Sequence, residues 1–259
     1  MSEVKYRVKW SEEETILAFY YYCRIPFGRI NKTNPEIIRI AALLGRTPSS
    51  VVFKMGNLGH WDPSLQKRGV NGLSNGSKLD EEIVGKFCED WEGLAVEAAK
   101  IEAQFAHSTE EIITQIDTLP PGDERVVSAK TRINQNFFRE AVISAYSGKC
   151  CITGIAVPTL LVASHIKPWA ASDPKTERTN PSNGLCLNAL HDKAFDKGLI
   201  TVLPNHEIRV SDKLKKEAET DTGIAWLVQC DKQQIVLPHK FFPSKEFLEY
   251  HNDVIFIAG

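Results

Sequence analysis

The sequence predicts an α+β protein, with a helical, helix-turn-helix-like domain toward the N-terminus and a small strand–strand–helix domain after it. Three observations predict this. Two helical stretches joined by a tight Gly45-Arg46-Thr47 turn lie in the first quarter of the chain. Between Thr159 and Gly198 the pattern changes to strand, long polar loop, second strand and short helix. Charge is also divided. Residues 1–78 hold 12 Lys and Arg against 6 Asp and Glu, residues 79–125 hold 3 against 13, and residues 126–259 hold 16 against 14. The overall net charge of −2 thus hides a basic N-terminal end followed by an acidic block.

In chain order, a short segment to Trp10 precedes Ser11, which with Glu14 forms the capping-box signature of a helix reaching about Arg24. Leu17, Ala18, Tyr20, Tyr21 and Tyr22 read as core rather than as a stacking platform, and Pro26 ends the helix. Asn34-Pro35 starts a second helix, with Ile37, Ile38, Ile40, Ala41, Leu43 and Leu44 apolar and Gly45 closing it. Thr47-Pro48 starts a third helix running to about Leu58, with Val51, Met55 and Leu58 along one face. Its other face would present Ser49, Ser50, Lys54 and Asn57 outward, side chains able to meet phosphates or base edges. The following stretch is rich in Gly, Asn and Ser and carries Lys67 and Arg68, candidates to reach into a groove. Residues 79–122 read as an acidic, solvated helical spacer broken at Gly93 and at His107-Ser108, and Leu119-Pro120-Pro121-Gly122-Asp123 is the best boundary. The expected domains are therefore 1–78, 79–122 and 123–259.

Arg132 to Ser147 reads as a helix burying Phe137, Phe138, Ala141, Val142 and Tyr146, with Arg132 and Arg139 as candidates for backbone phosphate contact. Leu160, Leu161 and Val162 begin a β-favouring run that ends at His165, and Pro168 stops it. A polar loop interrupted by Pro174 and Pro181 leads to Asn183 and a second strand over Gly184–Leu187. Asn188 stands where a helix N-cap belongs and Gly198 where a C′ glycine belongs. The bracketed helix carries His191, Asp192 and Asp196. Beyond it, Leu199–Leu203 and Ile208–Val210 flank Pro204-Asn205 as a hairpin. The tail to Ile257 is expected to wrap this domain, with His251 structural.

Three stretches carry a resemblance: Ala163-Ser164-His165-Ile166-Lys167-Pro168-Trp169, then Asn183-Gly184-Leu185-Cys186-Leu187, then Phe195-Asp196-Lys197-Gly198-Leu199. In order and spacing they resemble the HNH endonuclease family, whose ββα-metal domain would cover roughly residues 130–203. The resemblance implies His165 as the general base that activates water, Asn183 as the orienting amide and Asp192 as the helix ligand to one divalent metal. His191 competes for the ligand role, and Asp196, one turn from Asp192, is a further candidate. Ser164 stands where many relatives carry a metal-binding Asp or His. Upstream, Leu44-Gly45-Arg46-Thr47-Pro48-Ser49-Ser50-Val51 is similar to the N-terminal domain found fused to prokaryotic HNH restriction-type nucleases.

The residue types suit the implied chemistry. An imidazole titrating near neutrality can take a proton from water. A divalent ion, Mg²⁺ or Mn²⁺, would neutralise charge developing on the phosphate. Asp192 and Asp196 are four residues apart and so share a helix face. The six Cys are scattered without any C-x-x-C pair, so no structural zinc is expected. Free thiols and the lack of an export signal imply a cytoplasmic protein, and no stretch approaches a membrane span. The expected partner is double-stranded DNA, with restriction-type cleavage in defence as the role implied by analogy; recognition of modified bases would need an aromatic cage, which the sequence does not show. A double-strand break needs two cuts, which a homodimer would supply. A DNA-binding regulator with an inactive HNH fold is the rival reading, and an RNA-cleaving HNH protein a weaker third.

Overall fold

Helix α1 (Glu12–Arg24) is the piece around which the N-terminal part of the chain is built. The computed structural model describes residues 8–66, 69, 76–106 and 124–259. Lys67, Arg68 and the expected boundary at Leu119–Asp123 lie outside the described residues. The chain divides into two units: Met1–Ala141 with Asp173–Asn180, and Val142–Ser172 with Pro181–Gly259.

In the first unit, Ser11 and Glu14 close the capping box on α1, and every residue from Glu14 to Cys23 is buried. A helix apolar on all sides must be surrounded. α1 is flanked by α3 (Pro48–His60), α5 (Lys78–Cys88) and α6 (Trp91–Phe105), with α2 (Pro35–Leu44) against α3 and a single turn α4 (Pro63–Gln66) after it. The tyrosine run is core, and its polar tips find partners: Tyr21 donates to Glu102 at 2.6 Å and Tyr22 to Asp62 at 2.9 Å. Gly45, at φ 63°, turns α2 into α3, and the Thr47 hydroxyl caps α3 by accepting from the Ser50 N–H.

The acidic stretch differs from the solvated spacer read in the sequence. α5 and α6 bury Ile83, Val84, Phe87, Trp91, Leu94, Ala95, Ala98 and Ile101, so they complete the core of the first unit. Charge lies on one face and apolar residues on the other, and composition alone averages the two. Nor does Gly93 break a helix. Asp90 caps α6 by accepting from the Gly93 N–H at 2.9 Å, and a Cβ on Gly93 would sit 2.5 Å from that carboxylate. The glycine is there to admit the cap.

α7 (Glu124–Ala145) starts earlier than the sequence suggested, and the division between units falls within it. The second unit then presents β1 (Leu161–His165) and β2 (Gly184–Asn188) as an antiparallel pair, followed by α8 (Ala189–Asp196). β3 (Ile200–Val202) and β4 (Ile208–Val210) make a second antiparallel pair, and α9 (Asp212–Thr220), α10 (Ala225–Val228) and α11 (Lys245–Tyr250) follow. α11 runs into one π-helical turn, His251–Ile255, that ties the tail to α8 and β3. His251 is buried. Its ring stacks on Phe195 with centroids 3.7 Å apart, its Nε2 donates to the Phe195 carbonyl at 3.2 Å, and its Nδ1 accepts from the Thr201 hydroxyl at 2.8 Å.

This seam yields two predictions. Gly198 adopts φ 66°, and a Cβ there would meet the Ile255 carbonyl oxygen at 2.1 Å. Gly198→Ala should therefore destabilise the second unit by about 2 kcal/mol or more, read from its urea midpoint. Burial pushes the His251 pKa from 6.5 down to about 4. The unfolded chain thus takes up this proton first, so the stability is complete above pH 6.5 and declines as pH falls toward about 4. The expected loss is on the order of 3 kcal/mol. His251→Gln should flatten that slope even while lowering stability at neutral pH, and equal slopes in the two proteins would refute the assignment.

Candidate nuclease site

The β1–β2 pairing sets Leu161 opposite Asn188 and His165 opposite Gly184, so His165 is the last paired residue of β1, at the end where the connecting loop leaves the hairpin. Its ring is half-buried and meets Trp169 edge-on, centroids 5.6 Å apart. The chain leaving His165 is held by Asn183, which is fully buried. Asn183 Oδ1 accepts the Lys167 N–H at 2.8 Å, and its Nδ2 donates to the Lys167 carbonyl at 3.1 Å and to the Ser172 hydroxyl at 3.3 Å. Its own carbonyl accepts the Ile166 N–H at 2.9 Å. One side-chain amide thus continues the ladder past the strand end, fixing the loop on which Trp169 sits.

α8 begins at Asn188, whose Oδ1 accepts from the Leu190 and His191 N–H groups, both at 3.1 Å. With Oδ1 committed to two donors, Nδ2 is the donor that meets Thr153 Oγ1 at 3.2 Å and His191 Nδ1 at 2.8 Å. His191 Nδ1 must then accept, which leaves a neutral ring with its proton on Nε2. His191 is 1% exposed, lies edge-on to Trp226, and has its pKa lowered by burial.

Successive helix residues are about 100° apart, so His191, Ala194 and Phe195 form one arc and Asp192, Lys193, Asp196 and Lys197 the other. The first arc is buried; Lys193, Asp196 and Lys197 are exposed and Asp192 half-buried. The second arc lines a cleft of about 470 Å³ together with Ser164, His165 and Trp169. His191 is not part of that lining, which corrects the expectation that it competes with Asp192 for a metal. The helix cap and the packed core have taken both the rotation and the ring.

Burial raises the pKa of Asp192, and the nearby Asp196 charge adds to this, while Ser164 and Lys193 favour the carboxylate. Ser164 is 2% exposed, and its hydroxyl lacks a hydrogen bond of ordinary geometry. Its hydroxyl lies on the cleft wall beside the Asp192 carboxylate, so the wall offers oxygen donors of the kind hard cations take. Among the described residues no three His, Cys, Asp or Glu side chains converge as a metal cage. Two carboxylates and a hydroxyl nonetheless suit Mg²⁺ or Mn²⁺, which complete their shells with water and substrate phosphate. Cys151 and Cys230 of this unit are thiols whose pKa burial raises, well up for Cys151 and to about 11 for Cys230.

The residues expected to contact DNA divide. Ser49 is exposed, Ser50 and Asn57 are half-buried, and all three line a cleft of about 760 Å³ with Trp10 and Phe53. Lys54 shares that cleft but does not project to solvent. It is 4% exposed, paired with Asp80, and its pKa is lowered by burial. This corrects its expected outward placement. Asp80 comes from the stretch taken for a spacer, so its carboxylate was not foreseen behind α3. Arg132 and Arg139 are exposed on α7, two turns apart on one face. Two residues that sequence reasoning missed are Lys193 and Lys197, although the repeated Asp-Lys doublet was there to be seen.

A hairpin delivers histidine to a cleft whose other wall is a short helix bearing two carboxylates, which is a ββα arrangement. Residues 150–203 match the HNH endonuclease family, a span that includes β1, β2, α8 and β3. Comparison with curated proteins gives no match. Among the described residues no helix is long and apolar enough to cross a membrane.

Asn183→Ala would strip partners from the Lys167 backbone inside a buried corner. It should cost about 1–3 kcal/mol in a denaturant titration, because the loop beside His165 loosens. An unchanged midpoint would show that the amide is dispensable to the loop.

Proposed function

We propose that the second unit hydrolyses DNA phosphodiester bonds with His165 as general base, and that the first unit recognises the duplex. The observation that carries this reading is the shared cleft: the His165 imidazole and the Asp192 and Asp196 carboxylates open onto one space. Asp192 and Asp196, with Ser164 beside them, would hold a divalent ion, which when bound neutralises charge on the scissile phosphate. His165 takes the proton from an attacking water positioned on the hairpin side. Asn183 keeps the following loop, and Trp169 with it, from drifting into that path.

For the first unit, the basic surplus of residues 1–78 and the polar side of α3 support DNA recognition through Ser49, Ser50 and Asn57. The paired helices α2 and α3 with their Gly45–Thr47 turn support a helix-turn-helix reading, with Lys54 at the cleft held by its ion pair with Asp80. Arg132 and Arg139 add exposed positive charge on α7. A prokaryotic restriction-type role agrees with this pairing of modules by analogy. One observation favours the rival, a DNA-binding regulator with an inactive site: Ser164 occupies the position where an acidic or imidazole ligand would be expected.

Supercoiled plasmid incubated with Mg²⁺ or Mn²⁺, with an EDTA control, separates the two. Cleavage should require the ion, and His165→Ala should slow it by about 10²–10⁴-fold with DNA binding retained. Binding without cleavage under every ion would favour the regulator, and near wild-type cutting by His165→Ala would remove it as the base.

A further inference from the structure

The cleft-facing side of α8 carries like charges at helical spacing twice over, Asp192 with Asp196 and Lys193 with Lys197. Like charges four residues apart repel on a helix, whereas opposite charges at that spacing attract. Elsewhere this protein follows the favourable rule: Lys78 pairs with Glu82 and Lys245 with Glu249, each at i,i+4. Asp196 also stands in the last turn, where the helix dipole disfavours a carboxylate. The dipole alone would explain Lys197, but not a last-turn aspartate beside it. Neither Lys193 nor Lys197 forms an ion pair among the described residues, and both are exposed on the wall facing His165.

We infer that Lys193 and Lys197 are a phosphate-holding edge that grips the substrate strand at phosphates flanking the one being cleaved. The inference rests on the nuclease reading and deepens it by naming what brings a polyanion to a pair of carboxylates. Without the two ammonium groups, the cleft would present Asp192 and Asp196 to an incoming strand and repel it until an ion was bound. With them, the arc is split lengthwise into an acidic flank for the cation and a basic flank for the strand. Lysines one turn apart are about 6 Å apart along the axis, so their flexible stems reach different phosphates. α8 cannot roll to turn them elsewhere. Asn188 caps its start, Gly198 is locked against the tail at its end, and His191, Ala194 and Phe195 are buried behind it.

The test uses the full chain in a His165→Ala background, which retains substrate, and a fluorescent DNA duplex titrated over a range of salt. Lys193→Gln with Lys197→Gln should weaken binding about tenfold or more at low salt and reduce the slope of log K against log salt by about 2, one for each phosphate no longer neutralised. The double Lys→Arg variant should keep the slope. Thermal melting of both variants should match the parent, since neither side chain is packed. If the slope is unchanged while wild-type protein cuts plasmid, the inference fails and the nuclease reading stands. An affinity loss with an unchanged slope, or a loss shared by the Arg variant, also overturns it, because charge would not be the cause. If wild-type protein neither cuts nor binds any duplex, the nuclease reading fails first and takes this inference with it.

Discussion

The rotational setting of α8 is the constraint on which the candidate site depends. It is set by one carboxamide at one end and one glycine at the other. Asn188 binds the first N–H groups of the helix and, with its other half, holds His191 and Thr153. Gly198 lets the chain leave in a left-handed turn so close to the Ile255 carbonyl that no side chain fits. Between them the helix is too short to twist independently. His191 and Phe195 go into the core, and the Asp-Lys arc goes to the cleft. A helix of two turns gains little from its own hydrogen bonds, so its phase has to come from tertiary anchors.

The cleft itself works against the stability of the fold. Asp192 is partly desolvated beside a second carboxylate, and Ser164 is buried without a regular partner. Each feature is unfavourable by itself, and the proposed cation and substrate phosphate would offset both. Unfavourable electrostatics confined to one wall, next to a His the hairpin delivers there, is a stronger indication of a functional site than any one residue. The surrounding structure compensates with well-satisfied polar groups, among them Asn183, His251 and Thr201.

In the first unit, buried ion pairs take the place of expected surface contacts. Arg46, from the turn between α2 and α3, reaches Glu14 of α1 at 2.6 Å and the carbonyls of Val8 and Lys9. Lys54 meets Asp80. Both cations lie against the Trp10 ring. Removing one partner of such a pair would strand a buried charge, so these lysine and arginine side chains are structural members. The basic surplus of residues 1–78 is correspondingly less available at the surface than a count suggests.

By itself the sequence determined the local events. Ser11 and Glu14, Asn34-Pro35, Thr47-Pro48, Asn188 and Gly198 each mark a helix end through the bonding of a few adjacent residues, and each helix starts or stops there. The strand ending at His165, the second strand after Asn183 and the spacing between them were legible for the same reason. Only the tertiary structure decided which residues share a space. Lys54 and Asp80 are 26 positions apart, so nothing local announces that one will neutralise the other. The acidic stretch became core because its apolar face met α1, which a charge count cannot register. His191 and Asp192 are neighbours in sequence and differ only in direction. That direction was fixed by Asn188 and by packing against Trp226, groups whose positions follow from the fold as a whole.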